Sequence, residues 1–147
     1  MRTLIVGLGA ILLFIGGCVT GTAASLEAKQ PDRSFFSGEQ PGLALTGLAG
    51  AAEQTVGRPE LVDHGEGRLV ISNLHPVCGT ILSRLVVRVV AADGGSTVKM
   101  WTSGVQPIVG GSWADRLWAA YAARLVAAGV SYRSLLGPEA MPLVSPD

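Results

Sequence analysis

Five side chains in one short stretch are of the types that do chemistry: Asp63, His64, Glu66, His75 and Cys78. Carboxylate, imidazole and thiolate are all metal ligands, and a thiol beside an imidazole is the pairing of a cysteine nucleophile and its base. His75-Pro76-Val77-Cys78 puts two ligand types three residues apart. Structural zinc sites carry paired Cys or His spacings, and the chain has no second pair. Asp63 to Glu66 also falls in His64-Gly65-Glu66-Gly67, a glycine turn where polar residues are expected in any case. Ser103 and Ser112 sit near glycines but outside any Gly-x-Ser-x-Gly elbow. No Walker loop is present. The sequence calls for no cofactor and shows no small-molecule substrate site. A small enzyme or metal-binding protein built on His64, His75 and Cys78 is the alternative reading.

The other chemistry-bearing residue is Cys18. Arg2 is the only charge before Glu27, Leu4 to Ile15 is apolar apart from Gly7 and Gly9, and Ile15-Gly16-Gly17-Cys18 follows. A basic start, a short apolar core and small residues before a cut describe a secretory signal peptide. Gly7-Leu8-Gly9 belongs to that leader and is no nucleotide fingerprint. The Ile-Gly-Gly-Cys tetrapeptide resembles the lipobox of bacterial lipoproteins. That resemblance implies acylation of Cys18 with palmitate-type chains, removal of residues 1–17, and a protein held in the bacterial envelope, facing the periplasm. Two other readings stay open: a plain secretory cut after Ala24, since Thr22-Ala23-Ala24 is small, and an uncleaved anchor. Against the anchor, a helix over Leu4–Ile15 spans about 18 Å, short of the roughly 30 Å hydrocarbon core.

Removal of 17 residues from 147 leaves 130, one modest domain. The whole chain has 11 basic and 11 acidic residues. Loss of Arg2 leaves a charge near −1, and no basic run exists, which argues against nucleic acid as a partner. With Cys18 lipidated or removed, Cys78 is alone, so an intramolecular disulfide is not expected. A buried apolar thiol is the favoured role for it, with an intermolecular disulfide or a reactive thiol as alternatives.

These residues must be held by secondary structure. Residues 18–42 keep no period and read as a lipid-anchored tether, with Phe35-Phe36 either packing on the domain edge, the favoured reading, or dipping into lipid headgroups. The domain proper is read over 43–136 and an irregular tail over 137–147. Leu43 to Val56 predicts a short helix capped by Thr46, weakened by Gly47 and Gly50 and stopped by Gly57 and Pro59. Strands follow at Glu60–Asp63 and Arg68–Asn73, then the strongest β signal from Ile81. There Leu85, Val87 and Val89 share one face, and Arg84, Val86, Arg88 and Val90 the other. Asp93-Gly94-Gly95 turns the chain into Thr97–Thr102. Gly94-Gly95 as the central pair sets Arg88 opposite Trp101, a cation–π arrangement. Asp93-Gly94 sets Arg88 against Lys99, a like-charge pair. The first register is preferred, which makes Arg88 and Trp101 an exposed anchor pair for an envelope protein partner.

The best helix begins at Ser112, with Asp115 completing a capping box. Trp113, Leu117, Tyr121 and Leu125 repeat at four, and Gly129 with Val130 offers a Schellman stop. The order predicts an α+β fold. About four antiparallel strands carry a short N-terminal helix and a longer C-terminal one, both on one face.

The stretch from Leu48 to Val90 resembles small outer-membrane lipoproteins of the BamE/SmpA type. The resemblance rests on a helix ending in Gly57-Arg58-Pro59, then Leu61-Val62, the Gly65–Gly67 turn and Arg68-Leu69-Val70-Ile71. It implies a non-catalytic lipoprotein that supports an assembly complex, and it carries over no binding residue.

Overall fold

The structure is a computed structural model that describes residues 22–74, 77, 79 and 81–136. The fold is α+β. Among the described residues six antiparallel strands lie in the order β2-β3-β4-β5-β1-β6. They are β1 (Arg33–Ser37), β2 (Leu61–Asp63), β3 (Arg68–Leu74), β4 (Ile81–Ala92), β5 (Gly95–Gly104) and β6 (Tyr132–Ser134). Among the described residues three helices accompany them: α1 (Ala23–Glu27), α2 (Pro41–Thr55) and α3 (Trp113–Ala127). Among the described residues no helix is long and apolar enough to cross a membrane.

The central hairpin forms where alternation is cleanest. Leu85, Val87 and Val89 of β4 meet Val98 and Met100 of β5 on the core face, with Leu69 and Ile71 of β3 beside them. Helices α2 and α3 close that face. Helix α3 buries Trp113, Leu117, Tyr121 and Leu125, one residue per turn, as their spacing predicts. Val126, at the edge of the stripe, stays exposed. Its capping box is complete: Ser112 Oγ accepts from the Asp115 amide at 3.2 Å, and Asp115 Oδ2 accepts from the Ser112 amide at 3.1 Å. At the other end the Val130 amide donates to the Leu125 carbonyl at 2.9 Å, and Gly129 takes φ +67°. Helix α2 starts earlier than Thr46, at Pro41, whose missing N–H costs nothing in the first turn. Thr46 instead donates its hydroxyl back to the Gly42 carbonyl at 2.9 Å.

Two features differ from the sequence reading. First, residues 23–42 belong to the folded unit rather than to a tether. β1 sits inside the sheet between β5 and β6, and Phe35 is fully buried against Trp118, ring centroids 4.1 Å apart. Only Phe35 and Phe36 in Arg33–Ser37 are apolar, so the segment lacks a strand's usual alternation. Its serines are buried all the same: Ser37 Oγ lies 3.2 Å from Tyr121 Oη and accepts from the Glu39 amide. Second, the sheet is covered on both faces. Leu26 of α1 packs with Val70, Val86 and Trp101 in a small second core on the side opposite α2 and α3.

Candidate functional site

The proposed anchor pair is not assembled as expected. The β4–β5 turn uses Asp93-Gly94, so Arg88 faces Lys99 and Trp101 faces Val86. Gly94 takes φ +76°, a conformation glycine adopts freely. Gly95 is held by the strand beside it: a Cβ there would lie 2.1 Å from the Ser37 carbonyl oxygen. The like-charge objection to this register is met from outside the hairpin. Arg68, Arg88 and Lys99 form one cross-strand row. Glu27 of α1 reaches into it, accepting from Arg68 Nε at 2.8 Å and Nη2 at 3.2 Å, with Arg88 Nη1 at 3.5 Å. Glu66, from the β2–β3 turn, adds Arg68 at 2.7 Å and Arg88 at 3.7 Å.

Trp101 lies on the Arg88 side of the sheet, as its parity requires, but it is buried, 5% exposed. Its indole Nε1 donates to the Lys29 carbonyl at 2.9 Å. It therefore fastens the segment after α1 to the sheet and offers no ring to a partner. The pair is corrected to a half-buried arginine in an ionic cluster and a core tryptophan.

The polar cluster of the 63–78 stretch divides. Asp63 Oδ1 accepts the amides of Gly65 and Glu66, at 2.9 and 3.1 Å, and so shapes the turn. His64 is exposed. Among the described residues no three His, Cys, Asp or Glu side chains gather as a metal site. His75, Cys78 and Cys18 lie outside the described residues.

A buried polar network has no counterpart in the sequence reading. Glu39, just before α2, is 9% exposed. Its carboxylate accepts from Tyr121 Oη at 2.7 Å and from Arg124 Nη1 at 2.8 Å to each oxygen. Burial pushes the Glu39 carboxyl up, but the bonds from Arg124 and Tyr121 outweigh it and hold the group below its ordinary range. Tyr121 is raised, chiefly by burial. Arg124 lies across Gly47, where a Cβ would come within 2.5 Å of its guanidinium. The glycine that weakens α2 as an isolated helix thus makes room for a tertiary ion pair. Tyr121 and Arg124, three apart on α3, were the available signal; nothing local marks Glu39. A second ion pair joins Arg33 of β1 to Asp115, Nε to Oδ1 at 2.8 Å. Burial raises Asp115, while Arg33 and Ser112 bring it below its ordinary value.

Two shallow clefts flank these groups. One, about 390 Å³, runs between α2 and α3 past Gly47, Gly50 and Arg124. The other, about 270 Å³, lies by Ser83, Gln106 and Trp113. In the second, Ser83 donates to the Val105 carbonyl, and Gln106 accepts from the Trp113 amide at 3.1 Å.

Compared with known proteins, the chain is matched by no family model, no curated protein and no solved structure at a significant level.

Proposed function

We propose that the protein is a lipid-anchored component of the bacterial cell envelope, attached through acylated Cys18, whose periplasmic domain is a non-catalytic structural or protein-interaction module. The observation that carries this is Arg2, the apolar Leu4–Ile15 and Ile15-Gly16-Gly17-Cys18 in sequence. The fold adds support on the choice of cut. Thr22 caps α1, its Oγ1 accepting from the Ser25 amide at 3.2 Å. A cut after Ala24 would sever α1 and remove Ala23, which packs on the second core. A cut before Cys18 leaves the folded unit whole. The non-catalytic reading is supported by what the described ionisable clusters do. Glu39–Tyr121–Arg124, Arg33–Asp115 and Glu27–Arg68–Arg88 each tie separate parts of the fold together. The resemblance to BamE/SmpA-type lipoproteins points to the same class.

The test is metabolic labelling of cells with a fatty-acid analogue. Wild-type protein takes up the label, and Cys18→Ala does not and accumulates as a precursor. Equal labelling of the two overturns the reading.

A further inference from the structure

Resting on that reading of Cys18, we propose that the α1-bearing face of the sheet docks on the anionic headgroups of the membrane that holds the anchor. Three residues separate Cys18 from Thr22, and each adds at most about 3.6 Å, so Thr22 lies within about 14 Å of the acylated cysteine. A domain of this size has a radius of gyration of about 13 Å. The leash is about as long as that radius and shorter than the domain is wide, so the domain cannot turn freely about its anchor. The face that α1 occupies is the one held towards the lipid.

The same face is also basic. Arg68, Arg88 and Lys99 share one cross-strand row on this face, Arg84 lies in the row beyond Val86, and Arg133 lies opposite Phe36. These are five of the ten basic residues in the described span. Glu27, Glu66 and Asp63, which stands opposite Arg68 in the same row, oppose them, which leaves the face at about +2 by formal count. The other five basic residues, Lys29 beside this face among them, stand with six acidic ones in the rest of the described span. A nearly neutral chain is therefore polarised, and its positive side is the tethered side. Lys99 and Arg133 are exposed. Val90, in the same row as Phe36, is 49% exposed, and Arg133 stands 5.5 Å over the Phe36 ring. A basic rim with apolar groups between its cations fits the headgroup layer. Each contact is weak alone, but the anchor supplies a high local concentration.

The chain's only two lysines report on this face. Lys99 is on it, and the Lys29 carbonyl is bonded to Trp101. The acylated full chain, purified from membranes, is placed in vesicles of phosphatidylcholine with or without phosphatidylglycerol. Acetylation of each lysine is then followed by mass spectrometry. The expected result is several-fold slower labelling of both on phosphatidylglycerol vesicles, lost as salt is raised. Lys99→Glu with Arg133→Glu removes the difference at Lys29, whereas Arg58→Glu retains it. Equal labelling on the two vesicles overturns the docking face. That result leaves the anchor standing if the intact mass shows acylated Cys18. An unacylated chain overturns both.

Discussion

Replacing Glu39 by glutamine tests whether a buried carboxylate fastens β1 and α2 to α3. Gln keeps the size and an acceptor oxygen for Tyr121 but presents no charge to Arg124. Hydrogen bonds to charged groups contribute about 1.5–3 kcal/mol. The Arg124 side chain is 41% exposed, so its ionic share is screened and the lower part of that range applies. We expect a loss of about 2 kcal/mol near neutral pH, or about 8 °C in Tm for a domain of this size. The penalty should depend on pH with a definite sign. The folded-state carboxyl sits below its ordinary value of 4.5. In the window between the two values the unfolded chain binds more protons, so acid favours unfolding. The stabilisation is fully present above the ordinary value and is lost as pH falls through the folded one. Gln imitates the protonated acid, so the two proteins converge in stability as pH falls. Urea titrations across the acid range would measure this. A penalty of the same size at every pH would refute an ionised Glu39.

Trp101→Ala should cost about 3–5 kcal/mol, as truncations of core aromatics do, whereas an exposed cross-strand residue would cost under about 1 kcal/mol; thermal melting separates the two. Leu117→Ala should cost about 2–5 kcal/mol, and Ala119→Ser far less, since Ala119 is exposed; a denaturant midpoint unmoved by Leu117→Ala would place the wrong face of α3 in the core. Asp115→Asn weakens both the Ser112 cap and the Arg33 pair, with an expected loss of about 1–2 kcal/mol that, like Glu39's, shrinks in acid.

The parts legible in the sequence are those whose reasons are local. The capping box at Ser112, the stripe of α3 and the alternation in β4 each lie within one element, and each formed as read. β1 was illegible because Arg33–Ser37 carries two apolar residues and is held by its surroundings: Tyr121, Glu39 and the neighbouring strands. The missed strand propagated. Without β1 at Gly95 and α1 over the row of Arg68, Arg88 and Lys99, the choice between Asp93-Gly94 and Gly94-Gly95 rested on pairwise charge alone, and it went the wrong way. The second core was hidden for the same reason, since Leu26 lies in a stretch whose composition resembles a linker. Glu39 had no partner within reach in sequence; Arg124 is 85 residues away. The Cys18 reading is the opposite case: it rests on flanking residues, and the fold bears only on where a cut would leave the folded unit whole.

A lipid anchor at Cys18 requires the mature chain to begin there. Intact-mass analysis of the native protein extracted from membranes, with sequencing of its N-terminal peptide, reads this directly. The expected product starts at Cys18 and carries the added mass of acyl chains. A chain starting at Ser25, or an unprocessed chain starting at Met1, would contradict the lipid anchor and the membrane-facing orientation built on it.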